Sequence, residues 1–136
     1  MSNSSMKSIV IGAGRLGSNI AKMLSKENND VILIDRNREK LGNVVDFTGF
    51  LESGDATDLG LLEECGIKDA DRLVACTDDD NTNIFISDVC CYIYSVPEVY
   101  IRLKDSRKMK VVDDRVKCIC PFDLSLEDFA EQKRGE

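Results

Sequence analysis

Ile9-Val10-Ile11-Gly12-Ala13-Gly14-Arg15-Leu16-Gly17, followed eighteen residues after Gly17 by Asp35, is the stretch that decides the fold of this chain. A short apolar run of strand type enters G-x-G-x-x-G and leaves it as a helical pattern, with apolar residues at Leu16, Ile20, Met23 and Leu24. A second apolar run, Val31-Ile32-Leu33-Ile34, ends on the carboxylate of Asp35. Each part has a task in holding a dinucleotide. Gly12 permits the tight turn out of the strand. Gly14, lacking a side chain, lets a pyrophosphate approach the backbone. Gly17 allows the helix to pack closely on the strand. The free N–H groups and positive dipole end of the helix then face the phosphates. Asp35 accepts hydrogen bonds from ribose hydroxyls, and it is equally suited to cap a helix starting at Arg36.

Working outward, apolar runs and turn signals alternate along the whole chain. Strands are expected over Lys7 to Ile11, Val31 to Ile34, Phe47 to Glu52, Arg72 to Cys76, Val99 to Leu103 and Val116 to Cys120. Helical spacing is expected over Arg15 to Lys26, Arg36 to Val45, Leu59 to Cys65, Asp80 to Tyr94 and Ser106 to Val112. Pro121 is read as the end of the sixth strand. Ser125, with Asp128 three residues on, is read as the cap of a final helix that carries Leu126, Phe129 and Ala130. Six strands alternating with helices predict an α/β, Rossmann-like, doubly wound parallel sheet of order 3-2-1-4-5-6, with helices on both faces.

The chain has 136 residues, which suits one domain able to support its own core. The expected organisation is an added or disordered segment over residues 1–6 and a single nucleotide-binding domain over residues 7–136. Hydrophobic residues make up 43%, a globular rather than a disordered composition. No apolar run approaches the ~20 residues of a membrane span. The polar start Met1-Ser2-Asn3-Ser4-Ser5-Met6 lacks a signal region, so a cytosolic location is expected. The net charge of −7 argues against a nucleic-acid partner, which needs a basic face. The six cysteines form no C-x-x-C pair and there is no histidine, so no zinc site is expected. The thiols read as small buried side chains in a reducing compartment. Asp78-Asp79-Asp80 could suggest a divalent metal, but the run suits the start of the following helix better.

Four stretches together resemble a known family. They are Gly12-Ala13-Gly14-Arg15-Leu16-Gly17; Ile34-Asp35-Arg36-Asn37; Gly54-Asp55-Ala56-Thr57 with Leu61, Gly66-Ile67 and Ala70-Asp71; and Leu73-Val74-Ala75-Cys76-Thr77-Asp78-Asp79-Asp80-Asn81 with Asn83. The chain is similar over roughly Lys7 to Ala130 to the N-terminal TrkA, RCK or KTN domains that regulate potassium channels and transporters. The resemblance implies a cytoplasmic, dimeric or higher homo-oligomeric sensor at the inner face of a membrane. It would act on a membrane potassium transporter or channel subunit and gate transport through conformational change, without entering the bilayer itself. The implied ligand is NAD(H), with ATP, ADP or AMP as the alternative. Its implied binding residues are Gly12, Ala13, Gly14, Arg15, Leu16, Gly17, Asp35, Arg36, Asp55, Ala56, Thr77, Asp80 and Asn83. Arg15 would lie near the phosphates, Asp35 at the ribose, Asp55 and Ala56 beside the adenine, and Thr77 near the middle of the ligand. The alternative reading of Arg15 is a solvated first-turn residue, and Asp55 reads equally as a cap for the helix near Leu59.

Two features depart from that family. Where it often has Pro-Glu after the sixth strand, this chain has Pro121-Phe122-Asp123, and the smaller C-terminal domain that often follows is not within these 136 residues. Asp35 repels a ribose 2′-phosphate and favours NAD(H) over NADP(H), although Arg36 and Arg38 stand close enough to complicate that preference. No catalytic residue is expected. The runner-up function is a small NAD(P)-dependent oxidoreductase, for which Tyr100 and Lys104 give a Y-x-x-x-K spacing. On the alternating strand Val99 to Leu103, residues four apart lie ~13 Å from one another rather than side by side. A nucleotide sensor of a system other than transport would share the same residues.

Overall fold

In the computed structural model, which describes residues 6–27 and 29–135, the chain forms β1 (Met6–Ile11), α1 (Arg15–Ser25), β2 (Asn29–Asp35), α2 (Arg38–Gly42), β3 (Phe50–Ser53), α3 (Leu59–Glu64), β4 (Arg72–Ala75), α4 (Asp80–Tyr92), β5 (Glu98–Arg102), β6 (Val116–Ile119) and α5 (Pro121–Arg134). Short 3₁₀ turns fill Ile67–Asp69 and Ser106–Val111. The six strands make one sheet of order β3-β2-β1-β4-β5-β6, and every pair is parallel. The expected doubly wound topology is therefore present.

Alternation along β1 explains why helices cover both faces. Val10 points into a core shared with α1 and Leu41 of α2, while Ile9 and Ile11 point into a larger core with Leu62, Ile86 and Cys90 of α3 and α4. Val10, Leu33, Ile34, Leu62, Leu73, Ile86 and Ile101 are fully buried, each contributing roughly 1.5–3 kcal/mol from leaving water. These central strands read as continuous apolar runs because neither face is wet.

The element ends differ from expectation for local reasons. The expected added segment over residues 1–6 falls outside the described residues except for Met6, which opens β1 and pairs with Asn29. That pairing pulls Asn29 and Asp30, whose polarity suggests a turn, into the start of β2. The second helix covers only Arg38–Gly42. Its cap is Asn37, whose Oδ1 accepts the Glu39 amide at 2.8 Å, rather than Asp35. The β3 strand starts at Phe50 rather than Phe47.

The last helix departs furthest from expectation. It begins at Pro121, at the first helical position, where a missing N–H costs nothing and the fixed φ is already helical. Pro121 therefore starts α5 as well as following β6. Ser125 sits inside the helix and its hydroxyl donates back to the Pro121 carbonyl at 2.9 Å, so it caps nothing. Among the described residues α5 buries none of its side chains.

Candidate functional site

The turn after β1 is built by backbone needs. Gly12 has φ +102°, and a Cβ there would lie 2.5 Å from the Cys76 carbonyl oxygen. Its amide donates to the Ile34 carbonyl at 2.8 Å, which fastens the loop to β2. A Cβ on Gly17 would collide with the Gly12 carbonyl oxygen, so this glycine sets how closely α1 packs on β1. Gly14 is different. It caps α1 without a side chain, and a Cβ on it would meet no atom within 4 Å. The open space above Gly14 is the approach to the first turn of α1, whose N–H groups take no side-chain cap and which carries no acidic residue.

Asp35 joins this loop to the second strand. Its Oδ2 accepts the Ala13 amide at 2.7 Å and its Oδ1 accepts the Asn37 amide at 2.7 Å. The carboxylate is thus held rigidly at the rim with lone pairs still available. Across the rim, Asp55 Oδ1 accepts from the Thr57 hydroxyl at 2.7 Å and the Thr57 amide at 2.9 Å. These bonds hold the Asp55 carboxyl below the usual range, with smaller help from Arg36. The α3 cap is not Asp55 but Asp58, whose carboxylate accepts the Gly60 amide at 2.9 Å.

These groups line a cleft of about 440 Å³ over the carboxyl ends of β1, β2, β3 and β4, within the usual range for small-molecule sites of roughly 300–1,000 Å³. Of the expected residues, Gly12, Gly14, Asp35, Arg36, Asp55, Ala56 and Thr77 line it. Ala13 lies beneath and offers its amide to Asp35. Arg15 and Leu16 face an adjoining hollow instead. The cleft sits where β1 has β2 on one side and β4 on the other, the switch point at which open α/β sheets leave a crevice.

Asp80 and Asn83 are not on the cleft's lining, and both are buried. Asn83 Oδ1 accepts from the Thr77 hydroxyl at 2.6 Å and the Thr77 amide at 3.0 Å. Its Nδ2 donates to the Thr77 carbonyl at 3.1 Å and the Arg102 carbonyl at 2.9 Å. Asp80 accepts the Lys104 amide at 2.8 Å and the Asp105 amide at 3.0 Å. The two side chains fix the loops after β4 and β5, and so the starting points of Thr77, Arg102 and Lys104. Asp79 is the α4 cap, accepting the Asn81 amide and the Thr82 hydroxyl. Among the described residues, no three His, Cys, Asp or Glu side chains group closely enough to hold a metal ion.

Sequence reasoning does not find Asn37, Lys40, Thr57, Thr82 and Arg102, which also line the cleft. Arg102 carries the clearest signal of the five, since it closes an alternating strand at its carboxyl end. Cys76 lines the cleft too, but burial pushes its thiol up to about 11, leaving it un-ionised near neutral pH. All six cysteines are free. The Tyr100 and Lys104 side chains do not meet. Tyr100 packs into the α1-side core and its hydroxyl donates to Glu98 at 2.9 Å, while Lys104 lines the hollow beside Arg15.

Residues 8–117 match the TrkA-N domain family. The Trk system potassium uptake protein TrkA homolog of Pyrococcus abyssi is 34% identical over 125 residues, which covers 90% of this chain and 55% of that protein. The chain thus spans about half the length of this relative. Among solved structures, the GsuK RCK domain is 28% identical with a TM-score of 0.69, covering 83% of this chain and 25% of that one. The TrkA-N domain of the inner membrane protein ybaL from Escherichia coli has a TM-score of 0.82 over 95% of this chain and 96% of its own. At 13% identity it is alike in fold alone. No helix among the described residues is long and apolar enough to cross a membrane.

Proposed function

The chain belongs to the TrkA-N domain family, and on that premise we propose that it is a nucleotide-sensing regulatory domain of a potassium uptake system. Its cleft takes NAD(H) or an adenine nucleotide, whose adenosine halves are the same. The observation that supports this best is the pairing of two rigid carboxylates, Asp35 and Asp55, with the uncovered α1 N-terminus in one cleft at the switch point. Asp35 receives the ribose hydroxyls, the α1 N-terminus and its glycine loop receive the phosphates, and Asp55 and Ala56 flank the base. Leu16 and Gly17 shape the helix start, while Asp80 and Asn83 act from below by holding the loops that carry Thr77 and Arg102.

Ligand then shifts a population of subunit arrangements, and the difference in affinity between arrangements becomes work on a membrane transport partner. The contact between two copies runs through α5, whose Phe122, Leu126 and Phe129 are 63%, 55% and 66% exposed and belong to neither of the two core clusters among the described residues. The domain acts on the cytosolic side of the membrane. An oxidoreductase is disfavoured because Tyr100 turns into the core, away from the cleft and from Lys104.

Thermal unfolding with NADH, NAD⁺, NADPH, NADP⁺, ATP, ADP and AMP tests the ligand. A ligand that binds only the folded chain raises the melting temperature with concentration. Stabilisation by the NAD or adenylate forms, with weaker effects from the 2′-phosphorylated pair, is the expected result. No shift from any of the seven removes the proposal.

A further inference from the structure

Cys118 and Cys120 stay half-buried, while the other four cysteines are buried. They flank Ile119 where β6 runs into α5. Ile119 faces the α1 side of the sheet, beside Ile20, Leu24 and Tyr100, whereas both cysteines rest against the core on the α3 and α4 side. The two thiols therefore leave one stretch of extended backbone on the same face. That backbone is fixed from both ends. Cys118 pairs with Ile101 of β5, the Ile119 carbonyl accepts the Leu103 amide at 2.9 Å, and the Cys120 carbonyl accepts the Leu124 amide of α5 at 3.0 Å. Neither thiol lines the nucleotide cleft or the hollow beside it.

Two residues along a strand set Cβ atoms about 6.6 Å apart and parallel. A disulfide needs them about 3.8 Å apart, so the strand end keeps these thiols from closing on each other. An ion between them changes the requirement. Two sulfurs on opposite sides of one ion stand about 4.6 Å apart, twice a metal–sulfur bond of about 2.3 Å. Sulfurs leaning toward each other from parallel Cβ atoms reach that separation with no movement of the backbone.

Ligand chemistry decides which ion fits. Among the described residues no group of three His, Cys, Asp or Glu side chains forms around the pair. Zn²⁺, which takes four ligands, is poorly served by two. A soft monovalent ion such as Cu⁺ is selected by thiolates and needs fewer ligands. Burial, followed by Asp123 and Asp80, raises the Cys120 thiol, and burial, followed by Cys120, raises that of Cys118. An entering ion must therefore displace two protons, which a strong metal–sulfur bond achieves and a hard, oxygen-seeking cation does not.

We propose that Cys118 and Cys120 form a two-coordinate site for a soft monovalent cation of the Cu⁺ class, tying the end of β6 to the start of α5. Two S–H bonds give way to two metal–sulfur bonds, two protons leave to solvent, and the oxidation state of the ion does not change. The site stands apart from the nucleotide cleft, so either can fail without the other.

Anaerobic titration of the full chain with Cu⁺ held by bicinchoninate tests this. One ion per chain should leave the chelator, and absorption at the copper K edge should report two sulfur neighbours. In the folded chain iodoacetamide should alkylate Cys118 and Cys120 without the ion and neither with it, as read by peptide mass spectrometry. Zn²⁺ at the same concentration should protect neither thiol. Cys118→Ser and Cys120→Ser should each weaken Cu⁺ binding by about 100-fold or more, while Cys65→Ala leaves it unchanged. The alkylation pattern needs no variant, so a substitution that unfolds the chain does not decide the outcome. Copper that stays on the chelator overturns the proposal. Tight binding retained by either serine variant, a third sulfur neighbour, or equal protection by Zn²⁺ overturns it as well.

Discussion

Asn83 Nδ2 donates to the Arg102 carbonyl at 2.9 Å, and through this bond the side chain at the start of α4 ties the end of β5 to Thr77 beyond β4. Asn83 is fully buried, and its amide satisfies backbone groups on two loops. Replacing Asn83 with Ala leaves the Thr77 amide and the Arg102 carbonyl without this partner. Removing one partner from buried polar groups costs about 1–3 kcal/mol for each group left unsatisfied. Differential scanning calorimetry should show a melting temperature lower by on the order of 10 °C. Nucleotide affinity should fall as well, because Thr77 and Arg102 lose their fixed positions. An unchanged melting temperature would show that Asn83 does not brace these loops.

Gly14 and Gly17 belong to the same motif and should respond in opposite ways. Gly17→Ala drives a Cβ into the Gly12 carbonyl and pushes α1 off β1, so a stability loss of about 3 kcal/mol or more is expected. Gly14→Ala meets no atom within 4 Å and its φ of −74° suits any residue, so stability should stay within about 0.5 kcal/mol. The added methyl stands where the proposed site receives the phosphates, however, and nucleotide affinity should drop by at least tenfold. Urea unfolding and ligand titration on the two variants separate these outcomes. If Gly14→Ala bound nucleotide normally, the phosphates could not lie over the glycine loop.

Much of this architecture is legible in the chain, and the parts that are not share a cause. Val10 and Ile11 belong to apolar strands buried on both sides, so composition alone marks them. Gly12 and Gly17 are required by backbone geometry that no other residue satisfies, so the motif announces itself. Pro121 is ambiguous in sequence because one residue type serves both to end a strand and to open a helix, and the direction the chain takes beyond β6 decides between them. Asp80 and Asn83 can be placed near the site from sequence, but the direction of their side chains cannot. Whether a polar side chain at a helix start points up to a ligand or down to a neighbouring loop depends on β5, which lies about twenty residues away in sequence. Arg102 escapes sequence reading for the same reason, since its place beside the cleft comes from the pairing of β4 with β5.

Acid should loosen the β5–β6 connection before the sheet. Asp105 caps the 3₁₀ turn through the Arg107 amide and pairs with the Arg107 guanidinium at 2.8 Å. Those hydrogen bonds, the side-chain bond first, lower its carboxyl from 3.8 to about 2. A carboxyl with a depressed folded pKa stabilises the fold above its unfolded value and loses that contribution as pH falls through the folded one. Stability attributable to Asp105 should therefore be constant from pH 7 to about 5 and decline between about 4 and 2. Asp113, lowered by Arg115 and Tyr92, acts in the same direction. Urea unfolding across this range should show a shallower acid decline for Asp105→Asn than for the unaltered chain. Equal slopes would mean that the pair contributes nothing beyond solvent-exposed charge.

The exposed apolar side of α5 predicts self-association of the domain. Phe122, Leu126 and Phe129 are all more than half exposed, and α5 buries no side chain among the described residues. A helix of this kind gains little from its own domain, because most helical stability comes from packing an apolar face. In the proposed dimer a second copy supplies that packing. Sedimentation velocity at tens of micromolar should therefore give a dimer or larger species. Leu126→Ser with Phe129→Ser should shift it to a monomer. The sheet core does not include either residue, so the variant monomer should keep its far-ultraviolet circular dichroism outside the α5 contribution and still bind nucleotide at the adenosine cleft. A chain that is already monomeric before substitution removes α5 as the contact. A variant that remains dimeric places the contact on another surface of the domain.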